Sequence, residues 1–258
     1  MIKRIISAAV LIPIVVWLIF FAQPQLFAIS ILFVNFIAYM EWLNMDSKRF
    51  NVIKSIYFAM NAVFIFMILF DMQLFVYTLF FLFIMNMVVG FYKTEKESIL
   101  TNHYYFSGMI YVSLYAFLYF ILIAESGKFI LMTMLISIWA GDSFAYLCGR
   151  KIGKTKLSPK ISPKKTIEGA VCGIIFGVVF GVASAYLFKL SLYEGFMIGF
   201  VSNIVGILGD LAESVIKRAF NKKDSSHIIP GHGGVMDRLD SLAFSAFFVY
   251  MMVLWKIL

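Results

Sequence analysis

The feature that most limits the fold is a succession of apolar runs, each about 20 residues long, the length a helix needs to cross a bilayer. They occupy approximately residues 5–21, 26–43, 52–70, 72–92, 104–124, 129–148, 170–188, 192–211 and 239–257. Composition agrees: of 258 residues 62% are hydrophobic and 14% charged, against about 45–50% and about 25% in a soluble domain. These values exclude a water-soluble globule. The expected fold class is all-α, a polytopic membrane helix bundle with about nine transmembrane helices. Residues 1–128 hold five spans. Residues 129–258 hold four spans and two basic loops, and form the expected catalytic region.

Positively charged loops orient such a bundle, because Lys and Arg are retained on the cytoplasmic side. With the N-terminus inside, 19 of the 22 Lys and Arg fall in inner segments, leaving Lys128, Lys189 and Lys256 outside. A cytoplasmic N-terminus is therefore expected. Lys3 and Arg4 before the first run could imitate a secretory signal, but Phe20-Phe21-Ala22 lacks the small-residue pattern of a cleavage site. The run is expected to be the first transmembrane helix. Cys148 and Cys172 are too few for a disulfide framework and lack zinc-site spacing, so both are expected to be small apolar residues.

Asp142 lies within the sixth run, roughly 9 Å from its end at 1.5 Å per residue. Asp210 and Glu213 close the eighth run, and Asp237 and Asp240 open the ninth. An acid at the centre of a membrane helix costs about 2.5–3.5 kcal/mol, and less near the interface. Acids retained there face the bundle interior and mark an ion or substrate site. Three helices thus bring carboxylates to one membrane face, where hard oxygen donors suit Mg²⁺ held jointly with substrate phosphates.

Two loops adjoin these acids. Gly149 to Gly169 carries seven basic residues and the steps Ser158-Pro159 and Ser162-Pro163, so a basic, turn-rich flap is expected. Its cations and hydroxyls suit phosphate oxygens, and equally the headgroups of anionic lipids. In the second loop, Asp210, Glu213, Ser214 and Lys217 share one helical face. The break Pro230-Gly231-His232-Gly233-Gly234 allows close backbone approach to an anion. His232 reads as a phosphate donor or as a loop-packing residue. His103 and His227 are expected to be structural.

Ser214, Lys217-Arg218, Lys223-Asp224, His232-Gly233-Gly234, Asp237-Arg238 and Asp240 together match the signature of the phosphatidate cytidylyltransferases (CDP-diacylglycerol synthases). Trp139, Asp142, Ala145-Tyr146, Gly149-Arg150, Gly153-Lys154 and Ser162 to Gly169 also resemble that family. The first five spans match only in hydropathy and length. The resemblance implies transfer of a cytidylyl group from CTP to phosphatidate in the inner leaflet, giving CDP-diacylglycerol and pyrophosphate for phospholipid synthesis. It implies Asp142, Asp210, Glu213, Asp237, Asp240 and Lys217 as catalytic residues. Ser162, Lys164, Lys165, Thr166, Arg218, Lys223, His232 and Arg238 are implied as substrate-binding. Asp210 and Asp237 are implied as metal ligands, with Mg²⁺ the ion and a second cation compatible with the same acids. The implied setting is the cell membrane, with the active site facing the cytoplasm. A homodimer surrounded by membrane lipid is implied, and no nucleic-acid partner.

Gly169, Gly173, Gly177 and Gly181, followed by Ala185, form a small-residue stripe that lets helices approach closely. Packing within one chain is favoured over a dimer seam. Tyr111, Tyr115 and Tyr119 are read as a packing face. A CTP-dependent polyprenol kinase or an archaeal-type CDP-lipid synthase would share the acids, but the intact Ser214-to-Asp240 signature favours the phosphatidate enzyme. A cation transporter would place its acids nearer the bilayer midplane and has no use for a basic flap.

Overall fold

The computed structural model describes residues 2–46, 52–70, 83–84, 96–229 and 233–258. It is 79% helical. The principal elements are α1 (Ile2–Phe20), α2 (Pro24–Met45), α3 (Val52–Phe70), α4 (Lys96–Ser113), α5 (Ala116–Ile123) and α6 (Gly127–Lys151). They continue with β1 (Lys156–Ser158), β2 (Ser162–Thr166), α7 (Ile167–Leu187), α8 (Leu192–Ala219) and α9 (Met236–Leu254). Among the described residues, five stretches are long and apolar enough to cross a membrane: Pro24–Met45, Leu100–Ile123, Gly127–Lys151, Ile167–Leu187 and Leu192–Ala219. The chain is a multi-pass membrane protein. The fourth apolar run, 72–92, lies outside the described residues except for 83–84.

The α6–α9 unit is built around α7, which packs between α6 and α8, while α9 packs on α8. The small-residue stripe makes this possible: Gly169, Gly173, Gly177, Gly181 and Ala185 are all buried. At Gly181 a β-carbon would come within 2.7 Å of the Gly195 carbonyl oxygen, so the two backbones meet directly. The stripe is spent on packing inside the chain. A polar clip fastens the same three helices. Ser137 Oγ donates to the Gly177 carbonyl on α7 at 2.8 Å, and Asn203 Nδ2 on α8 donates to Ser137 Oγ at 2.8 Å.

The N-terminal helices pack chiefly through aromatics, with Tyr39, Tyr57, Tyr105, Phe64 and Phe117 fully buried. Tyr111 and Tyr115 are buried too, and Tyr111 stands 6.1 Å from Phe244 of α9, consistent with the packing face expected of them. The C-terminal end of α2 is pinned in place. Lys54 of α3 is buried and donates to the carbonyls of Leu43 (2.7 Å) and Asp46 (3.1 Å). Such a cation satisfies acceptors that a helix end leaves without intrahelical partners. Tyr105 adds a hydrogen bond to Asp46 Oδ2 at 2.7 Å.

Two expectations change. The basic flap is ordered as a two-stranded antiparallel hairpin, with Lys156 paired to Thr166 and Ser158 to Ser162, so the described part of the bundle is helical with a small β-hairpin added. Cys148 and Cys172 are not independent apolar residues: they form a disulfide between α6 and α7, with Cα atoms 6.4 Å apart. Their separation of 24 residues carries no helical phase across the intervening loop, so spacing alone could not reveal the pairing.

The α7–α8 approach yields a direct test. Gly181→Leu would drive a branched side chain into backbone, and overpacking costs ~2 kcal/mol or more. Its melting temperature in detergent is expected to fall clearly below that of the wild type; an unchanged value would mean the two backbones are not in contact.

Candidate active site

The described signature residues lie at the ends of α6, α8 and α9, in the loop between α8 and α9, and along the hairpin. The α8 helix extends two turns beyond its apolar run, to Ala219, and so carries Asp210, Glu213, Ser214 and Lys217 on one face as their spacing requires. Ser214 Oγ donates to Asp210 Oδ1 at 3.4 Å. Asp237 lies in the first turn of α9. Asp142 of α6 is within electrostatic range of Asp210, with Lys165 and Arg238 as opposing cations. Asp240 of α9 is within range of both Asp210 and Asp142.

The hairpin reaches this acidic set. Lys165 on β2 forms an ion pair with Asp210 Oδ2. Arg218 Nε donates to the Ile161 carbonyl at the hairpin turn (3.1 Å), and its Nη1 donates to the Lys222 carbonyl (2.7 Å). Two features set the base of the hairpin. Glu168 accepts from the backbone N–H groups of Lys154 and Thr155, both at 3.0 Å. Thr166 is the N-cap of α7, its hydroxyl accepting from Gly169 N at 3.2 Å, an arrangement typical of this residue type at a helix start. Its position is buried, whereas Lys164 is exposed and Ser162 half-buried.

Lys217 is the electrostatic centre of the α8–α9 contact. Its ammonium sits 2.6 Å from Asp237 Oδ1 and 3.2 Å from Glu213 Oε1, and all three residues are buried. Asp237 Oδ2 accepts three further hydrogen bonds, from Ser225 N (2.8 Å), Ser225 Oγ (3.0 Å) and Gly234 N (2.8 Å). Glu213 is less well served. Its Oε1 contacts Lys217 without hydrogen-bond alignment, and Oε2 has no partner among the described residues. Lys223 and Arg238 are exposed. His232 lies outside the described residues.

These side chains suit a divalent cation in kind. Among the described residues no three of His, Cys, Asp and Glu converge closely enough to enclose a metal. Mg²⁺, however, is commonly held by one or two carboxylates together with substrate phosphates. Asp142, Asp210 and Asp240 are hard-oxygen groups that influence one another electrostatically, and Glu213 Oε2 is a buried acceptor without a donor among the described residues.

Glu41 was not foreseen. It is a buried carboxylate on α2 that accepts hydrogen bonds from Ser225 Oγ (3.0 Å), Ser226 Oγ (2.6 Å), Val235 N (2.9 Å) and Met236 N (2.9 Å). The available signal was an acid inside the apolar run 26–43, the same signal that singled out Asp142. Lys222 is a second addition, donating to the Asn44 carbonyl at 2.7 Å.

Residues 2–255 match the model of the cytidylyltransferase family. The chain belongs to that family. Similar proteins named phosphatidate cytidylyltransferase include one from Haemophilus influenzae, 36% identical over 137 residues, 49% of this chain and 48% of that protein. Another, from Synechocystis sp., is 42% identical over 130 residues, 50% of this chain and 44% of that protein. One from Staphylococcus haemolyticus is 32% identical over 130 residues, half of each chain. The matched part thus spans about half the length of the curated relatives.

The Lys217 contacts give a prediction. Lys217→Ala leaves Glu213 and Asp237 buried without their cation, which costs ~3–5 kcal/mol for a buried pair. Adding Glu213→Gln should restore part of that loss, because Asp237 keeps its donors from Ser225 and Gly234. Unfolding in detergent of the single and double variants measures both steps; a double variant no more stable than the single would contradict the assignment.

Proposed function

We propose that the chain transfers a cytidylyl group from CTP to phosphatidate, giving CDP-diacylglycerol and pyrophosphate for phospholipid synthesis. The observation that carries this reading is the Lys165–Asp210 pair, which joins a basic hairpin to an acidic helix end. A site of that composition accepts a soluble triphosphate and an anionic lipid headgroup together. Family membership and the names of the relatives point the same way.

A phosphate oxygen of phosphatidate attacks the α-phosphorus of CTP as the bond to the β-phosphate oxygen breaks, and pyrophosphate leaves. The attacking oxygen is already anionic, so no Ser or Cys nucleophile is needed. The work left to the chain is alignment and charge compensation. Lys164, Lys165, Lys223 and Arg238 are the cations proposed to receive phosphate oxygens, with Ser162 beside them and His232 a further member. Thr166 and Arg218, proposed to bind substrate as well, also fix the hairpin against α7 and α8. Lys217 holds Asp237 and Glu213 in place. Mg²⁺, held by Asp210 and Asp237 with Asp142, Glu213 and Asp240 nearby, would polarise the phosphoryl oxygens and neutralise the leaving group when bound; a second cation is compatible with this acidic set.

The reading extends to topology. Nine spans with a cytoplasmic N-terminus put both basic loops on the cytoplasmic side, as the distribution of Lys and Arg favours. The cell membrane and a site open to its inner leaflet follow from a lipid substrate and a nucleotide partner. Residues 129–258 form the catalytic region. The chain is proposed to act as a homodimer, whose seam is not the Gly169–Gly181 stripe because that stripe is buried within the chain.

Purified protein incubated with labelled CTP, phosphatidate and Mg²⁺ is expected to form CDP-lipid and pyrophosphate, both lost on chelation. Asp210→Asn and Asp237→Asn should each abolish turnover while the protein remains folded. Near-full turnover of either variant at saturating Mg²⁺ would remove that residue from the metal site. Release of CDP with a phosphorylated lipid would make the enzyme a CTP-dependent lipid kinase instead.

A further inference from the structure

The start of α9 has no capping side chain of its own: Val235 stands at the N-cap position and makes no side-chain cap bond. A helix leaves its first N–H groups without intrahelical partners, and a carboxylate there is favoured by both hydrogen bonding and the helix dipole. Glu41 supplies that carboxylate from α2, a separation of 194 residues from Val235 and 195 from Met236. Its two oxygens divide the work. Oε1 accepts from Val235 N and Ser226 Oγ, and Oε2 from Met236 N and Ser225 Oγ. None of the ion pairs among the described residues includes Glu41, so four donors stabilise the charge.

The link to chemistry is one residue long. Ser225 Oγ lies 3.0 Å from Glu41 Oε2 and 3.0 Å from Asp237 Oδ2, and Asp237 also binds Ser225 N and Gly234 N. Gly234 fits tightly between them: a β-carbon there would meet the Glu41 carboxylate oxygens at 2.5 and 2.6 Å. Glu41 stands on a fixed platform, because Lys54 and Lys222 hold the last carbonyls of α2. We propose that Glu41 is a positioning residue for cytidylyl transfer, a cap supplied from α2 that fixes the first turn of α9 and thereby the Asp237 carboxylate. This inference rests on the proposed reaction and adds to it a residue of the N-terminal half.

The test uses the full chain in detergent, as wild type, Glu41→Gln, Glu41→Asp and Ser226→Ala. CDP-lipid formation per folded molecule is measured against CTP concentration, and hydrogen exchange is followed at Ser225, Ser226, Gly234, Val235 and Met236. Gln keeps the volume but offers one oxygen to four donors, and leaving a buried donor unmet should lower kcat ~10- to 100-fold. The KM for CTP should hardly move, because orientation rather than ground-state binding is lost. Exchange at those five amides should quicken while α6 to α8 keep their protection. Asp keeps both acceptor oxygens, so Glu41→Asp should outperform Glu41→Gln. A space-filling role gives the reverse order, since Gln preserves the volume and Asp loses a methylene.

A wild-type rate in Glu41→Gln, an activity order of Gln above Asp, or exchange quickened evenly along the chain would overturn the proposal. Should Glu41→Gln fail to fold, Ser226→Ala decides. It leaves the carboxylate in place and removes one donor, and wild-type rate and exchange in it would also overturn the proposal. If the wild type makes no CDP-lipid, the proposed reaction falls, and exchange alone decides the clamp: faster exchange at the five amides upholds it and unchanged exchange removes it.

Discussion

A polar group inside a membrane bundle must find its partner within the chain, because hydrocarbon offers none. Much of this structure follows from that constraint. Asn61 Nδ2 donates to Asn35 Oδ1 at 2.7 Å, and Asn35 Nδ2 donates to the Val112 carbonyl at 2.9 Å, so three helices are joined by two buried amides. Lys54 closes the C-terminal end of α2 and Glu41 closes the N-terminal end of α9. In both cases a charged side chain from one helix satisfies the end of another, with a sign that matches the helix dipole.

The site depends on these closures more than on apolar packing. Burial brings helices together but is non-directional and cannot fix a carboxylate to within tenths of an ångström. Lys217, Ser225 and Gly234 do so for Asp237, and Glu41 fixes the backbone that carries two of them. The close approach of α7 to its neighbours has a related role, since Gly141, Gly173 and Gly181 keep α6, α7 and α8 near enough for their ends to share one site.

Much of this was legible from residue order. The apolar runs 129–148 and 170–188 fall inside α6 and within a residue of α7, and the 3.6-residue period placed Asp210, Glu213, Ser214 and Lys217 on one face of α8. The buried glycine stripe followed from its four-residue spacing. Periodicity reports only which face of a helix a residue occupies. It does not report which distant segment meets that face, and so Glu41, whose partners lie 184 to 195 residues away, stayed hidden within an apolar run. The same limit concealed the Cys148–Cys172 pairing. Ser-Pro steps marked where helix stops, yet the hairpin that replaces it depends on cross-strand pairing between Lys156 and Thr166, which a break signal does not specify.

The pairing of lysines with carboxylates bears on how such a site meets its substrates. Lys165 and Lys217 stand on Asp210 and Asp237, the two acids proposed to hold a metal. The two pairs differ in setting. Lys165 and Asp210 are each nearly 30% exposed, whereas Lys217 and Asp237 are below 10%. A partly exposed pair gains little from its own attraction, so exchanging it for a phosphate on the lysine and a cation on the aspartate costs little. A buried pair is expensive to separate and serves better as a fixed reference. On the proposed reaction, the hairpin lysine is then the exchangeable member and Lys217 the stationary one.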